Sequence, residues 1–367
     1  MPVADYAIHK ERAAARNREM SQRGRDIGSL PPVVDPERRE LCRLNLRLFL
    51  ETYFKEIFCY DWSPDHLKAI DLIEQAVLRG ALFALAMPRA SGKTSLCECA
   101  CLWAALYGHH QFICVIGSDE DSAKELLQSV KTQIETNELL LEDFPEVCCP
   151  VVALDGQNNR ANGQTYQGER TCITWTDKKV VLPTIEGSAA SEVVINTRGI
   201  TGRIRGMKHT RRDGSSARPS LVIVDDPQTD ESARSVTQCE RRERTLAGAV
   251  LGLAGPGKKI SGIMPCTVIV QDDMADKILN RDKHPYWNGQ RTKMLYQFPA
   301  NMELWDQYRE LREDGFRAGD YGAKANRFYK KNRKQMDEWG RGRLGVPVRA
   351  RVRALRDSAL HEPPLPR

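Results

Sequence analysis

The stretch Ala81-Leu-Phe-Ala-Leu-Ala-Met87-Pro88-Arg89-Ala90-Ser91-Gly92-Lys93-Thr94 decides the fold. Its first seven residues form an apolar run between Gly80 and Pro88, the length of a strand buried on both faces. The helical pattern that follows runs from Lys93 to Tyr107. A strand that breaks into a loop ending Gly-Lys-Thr, then passes directly into a helix, surrounds an anion with backbone N–H groups at the positive end of the helix. In that frame Pro88, Arg89, Ala90, Ser91, Gly92, Lys93 and Thr94 cradle a nucleotide, expected to be ATP. Lys93 reaches the β and γ phosphates, and the Thr94 hydroxyl holds Mg²⁺. The first glycine of the usual G-x-x-x-x-G-K-[ST] spacing is absent, and Met87 stands in its place.

Outward from this loop, strands and helices alternate. Phe112 to Gly117 reads as a second buried strand, followed by an amphipathic helix through Leu126, Leu127, Val130 and Ile134. Leu221 to Val224 reads as a third, and Ile260 to Met264, with Val268 to Val270, as further members of the sheet. Such alternation predicts an α/β fold with a parallel-rich central sheet and helices on both faces. Glu37 to Phe58 and Asp65 to Arg79 are expected helices, the second with Ser63 as N-cap and Pro64 at its first position. Glu146 to Thr201 is irregular, rich in Gly, Asn and Thr, and reads as hairpins and loops. The expected organisation is a polar, Arg-rich arm (1–36), a nucleotide-binding domain (37–275), a small helical subdomain with one strand near Met294 to Phe298 (276–339), and a basic tail (340–367).

The partner of the phosphate loop is Leu221-Val-Ile-Val224-Asp225-Asp226, an apolar strand that delivers two carboxylates to the end of the sheet. Asp225 is the expected Mg²⁺ ligand and Asp226 the base that activates the attacking water. Between Thr201 and Arg218 lie Arg203, Arg205, Lys208, Arg211, Arg212 and Arg218, against the single acid Asp213. Glycines interrupt this segment, which predicts a flexible basic loop near the catalytic edge making phosphate contacts. Met264-Pro-Cys266-Thr267 by itself is only the end of the next strand; it sits where motor ATPases keep a small polar coupling segment, which makes Cys266 and Thr267 the candidates for that role.

Composition limits the alternatives. The 367 residues are 41% hydrophobic and 28% charged, enough to build a core, with about two domains by length. The longest apolar run, Cys99 to Tyr107, is half of what a spanning helix needs, and the N-terminus has no secretory pattern. An intracellular protein without a membrane partner is expected. The net charge of +6 is uneven, because residues 340–367 hold seven arginines, no lysine and two acids. Basic character must therefore be argued locally. The eleven cysteines form no paired CxxC spacing; Cys97, Cys99, Cys101 and Cys114 read as buried free thiols rather than metal ligands.

Pro88 to Thr94, Ile204-Arg-Gly206, Leu221 to Pro227 and Met264 to Thr267 together resemble the large subunit of a tailed-phage terminase. Pro285-Tyr-Trp287, Phe298-Pro299 and Leu304-Trp-Asp-Gln-Tyr308 are similar to one branch of that family. The resemblance covers about Leu48 to Trp339. It implies a P-loop NTPase of the additional-strand class, an ATP- and Mg²⁺-dependent motor that translocates double-stranded DNA into a procapsid. It further implies a terminase small subunit and a portal protein as partners, a homo-oligomeric ring, and a place in the host bacterial cytoplasm, transiently at the portal. The arginine inside the loop, Arg89, is then a charge-stabilising catalytic residue. Arg205, with Arg203 second, is the candidate for another, while Lys208, Arg211 and Arg212 are expected on DNA phosphates. The family usually has Glu where Asp226 stands. The family's C-terminal nuclease domain is expected to be missing, and the change of composition after Trp339 resembles out-of-frame translation. The alternatives are a superfamily 2 helicase-like ATPase, which would carry a second motor domain, and an inactive nucleotide- or DNA-binding prophage remnant.

Overall fold

The computed structural model describes residues 25–255, 257–293, 296 and 298–338. The expected arm before residue 25, most of the strand expected at Met294 to Phe298, and the basic tail lie outside the described residues. Eight strands form the main sheet: β1 (Leu82–Ala86), β2 (Phe112–Gly117), β3 (Thr174–Trp175), β4 (Lys179–Val181), β5 (Val194–Gly199), β6 (Leu221–Val224), β7 (Ser261–Cys266) and β8 (Gln290–Arg291). The helices are α1 (Pro36–Cys42), α2 (Leu46–Tyr53), α3 (Pro64–Gln75), α4 (Lys93–Leu106), α5 (Glu120–Thr136), α6 (Glu138–Asp143), α7 (Pro145–Val152), α8 (Asp230–Ala233), α9 (Val236–Arg244), α10 (Met274–Ile278), α11 (Met302–Arg317) and α12 (Ala323–Met336).

The spatial order is β8-β1-β7-β6-β2-β5-β4-β3. All pairs from β8 to β5 are parallel, and only the β5–β4 and β4–β3 pairs at one edge are antiparallel. Every residue of β1, β2, β6 and β7 is buried, so both faces of the sheet are covered. On one face Leu82, Ala84, Phe112, Cys114, Val222 and Met264 pack with Leu246, Val250, Ile278 and Trp287. Because the central strands are parallel, Ala86, Val224 and Cys266 all end at the same edge of the sheet.

Several segments differ from the sequence expectation. Glu37 to Phe58 is two helices, because Asn45 accepts a hydrogen bond from the Leu48 amide and starts α2 afresh. Val268 to Val270 is not strand: the Ile269 and Val270 amides donate to Asp273 Oδ2, at 2.7 and 3.0 Å, instead of to a neighbouring strand. Glu146 to Thr201 does contain hairpins, but it opens in helix α7 and ends in β5, a parallel strand beside β2. The polar Asn196 and Thr197 are buried within β5, which hid its character.

The chain divides into two compact units. The first comprises, among described residues, 25–59 and 66–292; the second comprises 60–65 and the described part of 293–338. The boundary falls after Thr292, not at 275, because β8 pairs with β1 and keeps that stretch in the first unit. In the second unit, α11 and α12 pack through Trp305, Tyr308, Phe328 and Tyr329. Among the described residues no helix is long and apolar enough to cross a membrane.

Candidate functional site

Beyond β1 the Met87 amide still donates to Cys266 O at 3.0 Å, and then the chain leaves the sheet at Pro88. Ala90 (φ 59°) and Gly92 (φ 76°) take left-handed backbone, which turns the loop back into α4. Gly92 is the N-cap of α4 and no side chain caps it, so the first N–H groups of that helix remain available to an anion. Arg89 to Thr94 line a cavity of about 500 Å³, together with Ser118, Ser122, Asp225, Asp226, Gln228 and Thr267, whereas Pro88 is not part of its lining.

Lys93 is only 6% exposed. Its Nζ lies 2.7 Å from Thr267 Oγ1 and 3.0 Å from Asp226 Oδ2. A buried ammonium needs such partners, and both come from strands adjacent in space but far apart in sequence. Next to it the Thr94 hydroxyl donates to Asp225 Oδ2 at 2.8 Å. Burial pushes the Asp225 carboxyl up to about 6, with the nearby Asp226 charge adding to the effect; the Thr94 hydrogen bond and Lys93 oppose it. Asp225 Oδ1 is buried without a hydrogen-bond partner. An orphaned carboxylate oxygen beside a threonine hydroxyl fits an oxygen-seeking divalent cation. Among the described residues no group of three His, Cys, Asp or Glu could hold a metal, so such a cation would take its remaining oxygens from water and a bound phosphate.

Asp226 is the more accessible carboxylate, 39% exposed. Its backbone lies at φ 36°, pinned by its amide to Pro265 O at 3.1 Å. Arg89, at the mouth of the cavity, is ion-paired with Asp230. Of the expected coupling pair, Thr267 faces the cavity, whereas Cys266 is buried in the core with its thiol pushed up by burial. Cys97, Cys99, Cys101 and Cys114 are also buried.

The basic segment after β5 does not gather at this cavity. β6 must start at the far edge of the sheet in order to deliver Asp225 here, so the residues just before it lie at the opposite end. Arg211 donates to Gln111 Oε1 at 2.8 Å, immediately ahead of β2, and Arg212 is paired with Glu169. Lys208 and Arg203 are exposed and line no part of the cavity. Arg205 is outside it too: its guanidinium passes beside Gly248, 3.6 Å from where a Cβ there would sit.

Three contributors carry no motif. Gln228 donates to Thr267 O at 2.9 Å and to Asp273 Oδ2 at 2.8 Å, tying the partner of Lys93 to the start of α10. Arg242 is 7% exposed and donates to Ser118 O at 2.9 Å and Pro227 O at 2.7 Å, bridging the ends of β2 and β6. Burial lowers its pKa, and no carboxylate pairs with it among the described residues. The signal for it was present: Cys239, Arg242 and Leu246 share one buried face at i, i+3 and i+7, an odd place for an arginine. The third is a pair of glycines. At Gly117 a Cβ would come within 2.4 Å of Ser122 Oγ, and at its strand partner Gly199 within 2.7 Å of the Glu120 amide. Their bareness lets the start of α5, with Ser122, settle against the sheet beside the cavity.

No protein-family model matches the chain, and no curated protein sequence matches it.

Proposed function

We propose that this chain is a P-loop ATPase of the additional-strand class, working as the DNA-translocating motor of a phage terminase. One observation carries the nucleotide part: Lys93 and Thr94 from the loop after β1 meet Asp225, Asp226 and Thr267 from β6 and β7 at one cavity. The sheet order supports the class, because β7 lies between the loop-bearing β1 and the acidic β6. The motor and its partners (double-stranded DNA, small subunit, portal and ring) rest on the terminase-like motifs.

In the proposed cycle Lys93 exchanges Asp226 and Thr267 for the β and γ phosphate oxygens of ATP. That exchange frees the Asp226 carboxylate to accept a proton from the water that attacks the γ phosphorus as the bond to ADP breaks. A magnesium ion held by Thr94 and Asp225 supplies charge neutralisation on the phosphates. Arg89, once released from Asp230, is within the same loop to stabilise developing charge. The test is ATP binding and turnover in the purified chain with Mg²⁺. Lys93→Ala should abolish turnover, and Asp226→Asn should bind ATP without cleaving it. Turnover at the wild-type rate in Lys93→Ala would refute the site.

A further inference from the structure

Helix α12, Ala-Lys-Ala-Asn-Arg-Phe-Tyr-Lys-Lys-Asn-Arg-Lys-Gln-Met, carries six cations and no acid. All six are exposed, while Ala325, Tyr329 and Met336 are buried. At about 100° per residue, Lys324, Arg327, Lys330, Lys331 and Lys334 fall in an arc of roughly 120° opposite that buried stripe. Arg333 stands on the flank and is paired with Asp337 at 3.3 Å. No acid among the described residues pairs with the other five.

The neighbouring helix makes this arrangement unusual. α11 has five acids (Glu303, Asp306, Glu310, Glu313, Asp314), and three of them pair within the helix: Asp306 with Arg309, and Glu313 and Asp314 with Arg317. The two helices pack through aromatic rings. Arg327 and Lys331, Lys330 and Lys334, and three pairs at i, i+3 therefore repel without relief, a cost to the free protein that a polyanion removes. The outer face has no large apolar side chain to enter a lipid interface, because the aromatic residues of α12 lie on its packed side. Five point charges along about 15 Å of helix suit a phosphodiester backbone, which carries one charge per about 1.7 Å of duplex axis.

We propose that the outer face of α12 binds the backbone of duplex nucleic acid, without reading its sequence. It extends the motor reading by giving the duplex a surface, and it replaces Lys208, Arg211 and Arg212 as the principal contact. It does not depend on the nucleotide site, so its failure is separable from failure of the ATPase assignment.

The experiment is fluorescence anisotropy of the full chain with labelled 30-base-pair duplexes of two unrelated sequences, without nucleotide, from 50 to 200 mM salt. Arg327→Gln/Lys331→Gln/Lys334→Gln removes three charges from the face. Arg47→Gln/Arg309→Gln/Arg317→Gln removes three from exposed, ion-paired sites elsewhere. The first variant should bind both duplexes at least about tenfold more weakly at 100 mM salt, with a slope of log K against log salt shallower by up to about 2.7. The control variant should bind like wild type. Unchanged circular dichroism and melting temperature establish that the variants are folded; if the triple variant is not, Arg327→Gln/Lys331→Gln replaces it. Equal loss in variant and control, or no loss in either, overturns the proposal. So does polyglutamate or an anionic vesicle competing as well as duplex at equal charge, since the face would then select no nucleic acid.

Discussion

Asp225→Asn removes a charge that the folded chain holds at a cost. In the unfolded chain this carboxyl titrates near 3.8; burial at the end of β6 raises it to about 6. At about 1.36 kcal/mol per unit, the ionised form costs the fold about 3 kcal/mol at neutral pH. The sign follows from proton uptake. Between pH 3.8 and 6 the unfolded chain has released this proton and the folded chain still keeps it, so the contribution to stability falls as pH rises through that window. Asparagine keeps an acceptor for the Thr94 hydroxyl, and the hydrogen bond of that hydroxyl to the ionised carboxylate is already contained in the net shift. The variant should therefore be more stable than wild type by about 2–3 kcal/mol at pH 7.5, and nearly equal to it at pH 4. Urea denaturation without nucleotide or Mg²⁺, at both pH values, measures this. Saturating Mg·ADP, at about 100 times its Kd, should close most of this gap, adding about 2.7 kcal/mol to wild type and much less to the variant. A variant that is less stable at pH 7.5, or a difference that does not change with pH, would refute a buried, cation-seeking carboxylate at this position.

Arg242→Met deletes the bridge between Ser118 O and Pro227 O, and the two carbonyls left buried should cost about 2–4 kcal/mol in urea denaturation; stability equal to wild type would show that the bridge is dispensable. Arg89→Ala should lower kcat of the dispersed chain by tenfold or more, since a charge-stabilising arginine is worth about 10³-fold or more when fully engaged. Arg205→Ala should leave that kcat near wild type, because its guanidinium lies beside Gly248 and not in the cavity; a large loss at low protein concentration would mean that the segment after β5 moves to the nucleotide during turnover.

What the sequence determined by itself is the set of short-range structures. The ranges read for β2 and β6 coincide with those observed, and those for β1, β7 and α4 differ by no more than two residues at either end. Each of these rests on information within a few neighbours: an apolar run flanked by Gly or Pro, a glycine free to adopt positive φ, a helix start without a cap. For the same reason Lys93, Thr94, Asp225 and Asp226 are legible as a group, since the first two open the helix after a loop that leaves an apolar strand and the other two directly follow one. The tertiary structure alone decided strand order and direction, and with them the fate of the basic residues. Proximity in sequence to Asp225 suggested proximity in space, but a parallel strand separates its two ends by its full length, and Arg211 and Arg212 stay at the far edge. Arg242 and Gln228 became part of the site only when β2, β6 and α10 were brought together. β5 was lost among loops because Asn196 and Thr197 are polar, and only burial between two neighbours turns such residues into strand. Hydrogen-bonding chemistry within a turn is local and can be read along the chain, whereas which strand lies beside which depends on burying both faces of a sheet at once.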